Sequence, residues 1–276
     1  MIGIVRIIVV VAALVALSLS LIPVQYVFLK LERGWKRSLP NFFHRIVARL
    51  LGFRIRIVGE MQEGRPLLLV SNHVSWSDIV ILSAAGKVSF IAKSEVRNWP
   101  VFGMFAVLQR TVFVERERRG KTGEQASEIA RRLAEGDAMV LFPEGTTSDG
   151  NRVLPFKTAL FGAAHAAIRE MDLKEVIVQP VAIAYTGVHG MPMGRYFRPI
   201  ASWPGDVELM PHLKGVLREG AIDVEIRFGE PVIVTAGTDR KQLARTMENR
   251  VRDLLQSALL GREIKSETDE AASASR

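Results

Sequence analysis

The chain of 276 residues contains no cysteine. Disulfide frameworks, thiol nucleophiles and zinc–thiolate centres are therefore excluded. Histidine is scarce, with five copies, so chemistry that depends on imidazole has few places to sit. Aromatic residues make up 7% of the chain and do not interleave with the basic ones, and no nucleic-acid-binding motif is present. The G-x-S-x-G signature of a serine hydrolase is missing. No internal repeat is visible. Acidic residues are in deficit, 29 against 37 basic ones, for a net charge of +8. Such a surface favours anionic partners: nucleic acid, anionic lipid or phosphorylated small molecules. Nucleic acid is set aside for want of a motif.

Charge is absent altogether from Ile7 to Leu29, "IIVVVAALVALSLSLIPVQYVFL", a run of 23 residues. A helix of that length crosses a hydrocarbon core of roughly 30 Å. Pro23 is placed to kink it. Arg6 stands alone before the run, whereas Lys30, Arg33, Lys36 and Arg37 follow it against one Glu32. The positive-inside rule then predicts an anchor in the cell inner membrane with the remaining chain on the cytoplasmic side. A cleaved signal peptide is the rival reading, although "ALSLS" makes a poor cleavage site. "PNFFHRIVARLLGF" (40–53) is basic and amphipathic. It suits either the headgroup layer or an ordinary core-packed helix. The expected organisation is membrane-anchoring helices over 1–52, a catalytic domain over 53–261 and a polar, disordered tail over 262–276.

From residue 53 the pattern changes. Strands are predicted at 53–59, 66–71, 88–93, 111–115, 138–145, 176–185 (broken at Pro180) and 222–234. Helices are predicted at 78–86, within 98–109, and at 123–137, 158–170 and 239–260. Alternation of the two predicts an α/β fold, a single sheet layered by helices.

Three stretches carry candidate chemistry. "SNHVSWSD" (71–78) follows the buried strand "PLLLV". Ser75 and Asp78 stand in the S-x-x-D relation of a capping box, which would leave His73 a mere turn residue. Alternatively a bend between loop and helix brings Asp78 to His73, and the pair acts as a general base with its orienting carboxylate. "FPEGTTSDGNRVLPFK" (142–157) ends another buried strand. Pro and Gly explain a turn there but not Glu144, since the ends of such strands form the ligand crevice. "QRTVFVERERRGK" (109–121) brackets a strand with Arg110 and Arg116, candidates for an anionic headgroup.

Taken together and in this order, "NHVSWSD", "TVFVER", "FPEGTTS" and "VQPVAI" (178–183) resemble the four motifs of the glycerolipid acyltransferases, the lysophosphatidic acid acyltransferase group. The resemblance covers about residues 50 to 235. It implies a glycerol-3-phosphate acyltransferase-like fold and transfer of an acyl group from a thioester of acyl carrier protein or coenzyme A to a lysolipid in the bilayer. By position, His73 would be the general base and Asp78 its orienter. Glu144, Gly145 and Thr146 would bind the acceptor, Arg116 its headgroup, and Pro180 would face the acyl-donor side. Neither metal, cofactor nor covalent acyl-enzyme is implied. The acceptor expected first is 1-acyl-sn-glycerol-3-phosphate, giving phosphatidic acid. Two departures bear on this. Thr147 stands where phosphate-acceptor members often carry arginine, and Arg110 stands where many carry glycine. Arg110 could replace the lost cation. "QRTVFVER", "FPEGTTSDG" and "HGMPMGR" are similar to the branch that acylates lyso-ornithine lipid, the second expectation.

Overall fold

A computed structural model describes residues 2–32, 34–63, 66–114, 122–205 and 207–262. Arg116 and the tail beyond Arg262 lie outside the described residues. The chain opens with α1 (Ile2–Lys30), which runs through Pro23, and α2 (Ser38–Leu51). Then follow β1 (Phe53–Val58), β2 (Leu67–Ser71), α3 (Ser77–Ala85), β3 (Val88–Lys93), α4 (Phe102–Leu108) and β4 (Val112–Val114). After these come α5 (Thr122–Ala134), β5 (Ala138–Leu141), α6 (Gly162–Glu170), β6 (Val176–Val188) and β7 (Met191–Pro192). The chain closes with α7 (Leu209–Glu219), β8 (Ile222–Phe228), β9 (Val232–Val234) and α8 (Arg240–Leu259).

Among the described residues the strands form one sheet in the order β1-β8-β6-β2-β5-β3-β4, with β7 and β9 also paired to β6. The centre is parallel: β2 lies between β5 and β6, and β3 joins β5 to β4. β6 pairs with β8 and β9 in the antiparallel sense. A strand buried on both faces reads as an unbroken apolar run, as "LLLV" does. Its side chains alternate between two cores. Leu68 and Val70 meet α5, α6 and α8 residues such as Leu133, Ala167 and Leu255 on one face. Leu67 and Leu69 join Leu51, Ile81 and Leu217 from α2, α3 and α7 on the other.

The expected α/β sheet layered by helices is present, with three differences in detail. α7 lies where no element was expected, because Pro211 and Gly215 mask its apolar spacing. Proline in a first turn loses no intrahelical bond, so the helix tolerates it. β6 is not broken at Pro180. β9 covers residues 176–178 of β6 and β8 covers 181–188, so Pro180 lies at the changeover. Its carbonyl takes the Gly229 N–H at 2.9 Å. Its missing donor points the same way, toward the β8–β9 turn, where no ladder bond is lost. Finally, β5 stops at Leu141, and Phe142–Gly145 forms the turn beyond it.

α1 is also more than an apolar run. It is long and apolar enough to cross a membrane, and few of its residues are buried. Yet Arg6 reaches the body of the protein. Its guanidinium donates to Leu217 O, to Leu51 O at 3.2 Å and to Gly220 O at 3.4 Å. These are carbonyls at the C-terminal ends of α2 and α7, where a cation is favoured. Near the other end, buried Gln25 donates to Lys36 O and Leu108 O at 3.0 and 2.9 Å. Both ends of α1 are therefore tied to the same body. This is at odds with a perpendicular span that leaves Arg6 on the far side. α2 resolves to the core-packed reading, burying His44, Val47, Ala48 and Leu51. Burial lowers the His44 imidazole to about 4, so it is a neutral core residue. The remaining histidines without motif support have local partners: His165 with Thr238 O, His189 with Glu219 and His212 with Trp76.

Candidate active site

His73 leaves the C-terminal end of β2 on a loop, and Asp78 is the second residue of α3. The bend between them brings His73 Nδ1 to 2.8 Å from Asp78 Oδ2. The same oxygen accepts the N–H groups of Val74 at 2.7 Å and Ser75 at 3.0 Å. Asp78 Oδ1 accepts the Tyr185 hydroxyl at 2.7 Å, and that hydroxyl also meets Ser77 Oγ at 2.6 Å. The two readings of this stretch thus share one side chain: Asp78 holds the backbone that opens α3 and holds the imidazole. Ser75 contributes its N–H, and no side chain caps the helix.

Asp78 is fully buried, whereas the His73 side chain is 20% exposed. With Nδ1 directed at a carboxylate, the hydrogen of a neutral ring resides there and Nε2 carries the lone pair. The ring stacks on Phe142, with centroids 4.1 Å apart and planes at 15°. Burial, with the adjacent Asp78, pushes the Tyr185 phenol well above its ordinary value, so it remains a donor.

Glu144 does not project into open space. It is 2% exposed, and its two oxygens accept His73 N–H at 2.9 Å and Leu154 N–H at 3.2 Å. Burial raises its carboxyl to about 8. Glu144, expected at the acceptor, is a strut between two loops. Gly145 turns the chain with φ +74°. Thr146 is exposed, and Ser148 N–H and Oγ both donate to His73 O, at 2.8 and 3.1 Å. The loop after β5 therefore clasps the loop that carries His73.

Two other expected residues lie elsewhere. Pro180 is inside the sheet beside Val70 and packs toward Gly229. Arg110 precedes β4 as Asp137 precedes β5, whereas His73 and Glu144 follow the ends of β2 and β5. Asp137, which Arg110 meets, and Glu144 thus lie at opposite ends of β5, roughly 13 Å apart across its four residues. Arg110 is buried and its Nη1 donates to Asp137 at 2.9 Å, so it does not replace the cation missing at Thr147. Arg37 and Arg132 meet the same carboxylate, each at 2.5 Å. Burial alone would raise Asp137, but Arg132, Arg110 and Arg37 hold it below its ordinary value.

Sequence reasoning missed several contributors. Asn72 stitches the His73 loop to β6, exchanging bonds with Ile183 N–H at 2.8 Å and Ile183 O at 3.0 Å. Tyr185 completes the carboxylate from that strand. The segment before α7 is tied to both loops: Trp203 N–H donates to Val74 O at 2.9 Å, and Arg198 donates to Asn151 Oδ1 at 2.6 Å. Only Asn72 had a local signal, as the neighbour of His73.

A histidine that is partly exposed beyond the carboxyl end of a parallel strand, with Nδ1 held by a carboxylate, can take a proton from a bound hydroxyl through Nε2. Comparison with known proteins bears on which hydroxyl. The family model described as Acyltransferase matches residues 53–184. The chain is 83% identical over 264 residues to a lyso-ornithine lipid O-acyltransferase of Brucella abortus, covering 96% of this chain and 99% of that one. It is 55% identical over 249 residues to the protein of that name from Rhizobium meliloti, covering 90% of this chain and 85% of the other. Among solved structures, the 1-acyl-sn-glycerophosphate (LPA) acyltransferase PlsC from Thermotoga maritima superposes with a TM-score of 0.66 at 21% identity, covering 95% of this chain and all of that one. This last likeness concerns the fold.

Proposed function

This chain belongs to the acyltransferase family, and from that membership we propose that it moves a fatty acyl group from an acyl thioester to the free hydroxyl of lyso-ornithine lipid. The chemistry rests on one observation, the 2.8 Å contact between His73 Nδ1 and buried Asp78. Nε2 removes the proton of the acceptor hydroxyl as its oxygen attacks the thioester carbonyl. The tetrahedral intermediate collapses with cleavage of the C–S bond. The departing thiolate takes the proton from the imidazolium, which Asp78 stabilises meanwhile. A thioester is already activated, so this route calls on no metal or cofactor. The donor is a thioester of acyl carrier protein or coenzyme A.

We place lyso-ornithine lipid ahead of the phosphate acceptor that the motifs put first. High identity along nearly the whole chain to lyso-ornithine lipid O-acyltransferases supports that lipid first. Thr147 supports it too, since a headgroup without a phosphate monoester has no need of the missing arginine. The bilayer is the third partner. The outward face of α1 exposes Ile4, Ile8, Val15, Leu19 and Val27. With both ends tied to the body, this helix lies lengthwise in the membrane interface in our reading.

The test is a two-acceptor assay in detergent, with a labelled acyl thioester and either lyso-ornithine lipid or lysophosphatidic acid. Fast transfer to the former is expected, and His73→Ala should slow it at least ~100-fold. Transfer to lysophosphatidic acid alone would overturn the acceptor. Near-normal turnover by folded His73→Ala would overturn the mechanism.

A further inference from the structure

At the β4 end of the strand order, three strands from the β2 that carries His73, a cleft of about 400 Å3 opens between the C-terminal end of α1, α4, β4 and α5. Its basic lining comes from four separate parts of the chain: Lys36, Arg97, Arg110, Arg131 and Arg132. Two carboxylates share the lining, Glu32 paired with Lys36 and Glu135 with Arg131, which Glu128 also holds, and buried Asp137 lies beneath it. Positive charge remains in excess after these are counted. The arrangement is also built rather than merely crowded. Asp137 fixes Arg110 and Arg132 from below, and Arg132 Nη2 donates to Arg110 O at 2.8 Å. Arg97 lies over the Phe113 ring, 5.6 Å from its centroid. Guanidinium groups held in this way suit the oxygens of a phosphate.

The mouth of the cleft has a second character. Leu29 of α1 and Val107 of α4 line it. Beside them Tyr26, Val27 and Leu31 stand exposed, as do Val101 and Met104. A free anion has no use for such surroundings, whereas a phospholipid presents a phosphate and apolar chains together.

We infer that this cleft binds the phosphate of an anionic phospholipid, whose chains lie along the exposed faces of α1 and α4. We assign this lipid to neither acyl donor nor acceptor, because His73, Asp78 and Glu144 do not line the cleft, which lies at β4, three strands from β2. The assignment does not rest on the reaction proposed above, and its test reads binding alone.

The full-length protein in neutral detergent is titrated with dihexanoylphosphatidylglycerol, and the rise in its thermal unfolding midpoint gives the half-saturating concentration. Dihexanoylphosphatidylcholine and inorganic phosphate are run in parallel. The variant Arg97→Gln/Arg131→Gln removes two exposed cations of the cleft. Lys241→Gln/Arg245→Gln removes two exposed cations from α8 instead. Phosphatidylglycerol should stabilise the native chain, and the cleft variant should need roughly tenfold more of it. The α8 variant should match the native chain. A similar loss in both variants would reduce the effect to surface charge and overturn the site. Equal stabilisation by phosphatidylcholine, or none by phosphatidylglycerol, would overturn it as well. Inorganic phosphate matching the lipid would overturn the lipid assignment.

Discussion

Tyr185 donates its hydroxyl hydrogen to Asp78 Oδ1 at 2.7 Å, while His73 and two backbone amides occupy Oδ2. The phenol thus fixes the carboxylate through the oxygen that the imidazole does not meet. Tyr185→Phe keeps the buried ring and removes the donor, leaving an under-satisfied buried oxygen at a cost of about 1–3 kcal/mol. We expect kcat to fall by roughly tenfold, with the KM for the acceptor unchanged. A purely structural tyrosine would lower the melting temperature and leave kcat per folded molecule intact, so kinetics and thermal unfolding are measured together.

Glu144 gives a pH dependence whose sign can be stated. Its carboxyl is raised by burial from 4.5 to about 8. A folded-state value above the unfolded one stabilises the fold below the unfolded pKa, and this contribution is lost as pH rises through the folded one. Stability should therefore decline from about pH 4.5 to 8, by on the order of a few kcal/mol at this residue. Glu144→Gln should flatten that slope in urea melts across the same window. An unchanged slope would show that the carboxyl titrates normally.

Gly52 ends α2 with φ +85°, and a Cβ there would sit 1.8 Å from Gly220 O. Gly52→Ala meets both a left-handed backbone penalty and a backbone clash. We expect a loss of at least about 1–3 kcal/mol, read as a lowered urea midpoint. Arg6→Ala should act at the same junction and cost about 1–2 kcal/mol by uncapping two helices.

Thr147 stands where phosphate-acceptor relatives often place a cation. If that position faces the acceptor headgroup, Thr147→Arg should raise kcat/KM for lysophosphatidic acid relative to lyso-ornithine lipid by roughly tenfold, the scale of one charge-assisted contact. An unaltered ratio would place headgroup selection elsewhere.

The α/β class, the central strands and the approach of His73 to Asp78 were legible because each is written locally. "LLLVSNH" declares a buried parallel strand and its exit, and a spacing of five fits a loop entering a helix. Tyr185 was not legible, since it meets Asp78 across 107 residues of separation. Arg110 misled for a related reason. Its sequence position marks the start of a strand, and only the parallel topology shows that strand starts and strand ends lie on opposite edges. α7 was hidden by a proline and a glycine that a helix can accommodate at those positions. Glu144 stood out as unexplained by a turn; its partners are the backbone amides of His73 and Leu154, which no spacing announces.

Because one carboxylate secures both the loop that opens α3 and the hydrogen on His73 Nδ1, the proposed mechanism makes local melting and loss of catalysis a single event. Fraying of that loop withdraws Asp78 from the imidazole while the two hydrophobic cores are still intact. Warming should accordingly silence the protein several degrees before its global transition, reversibly, and an inactivation curve would report the integrity of four residues rather than of the whole chain.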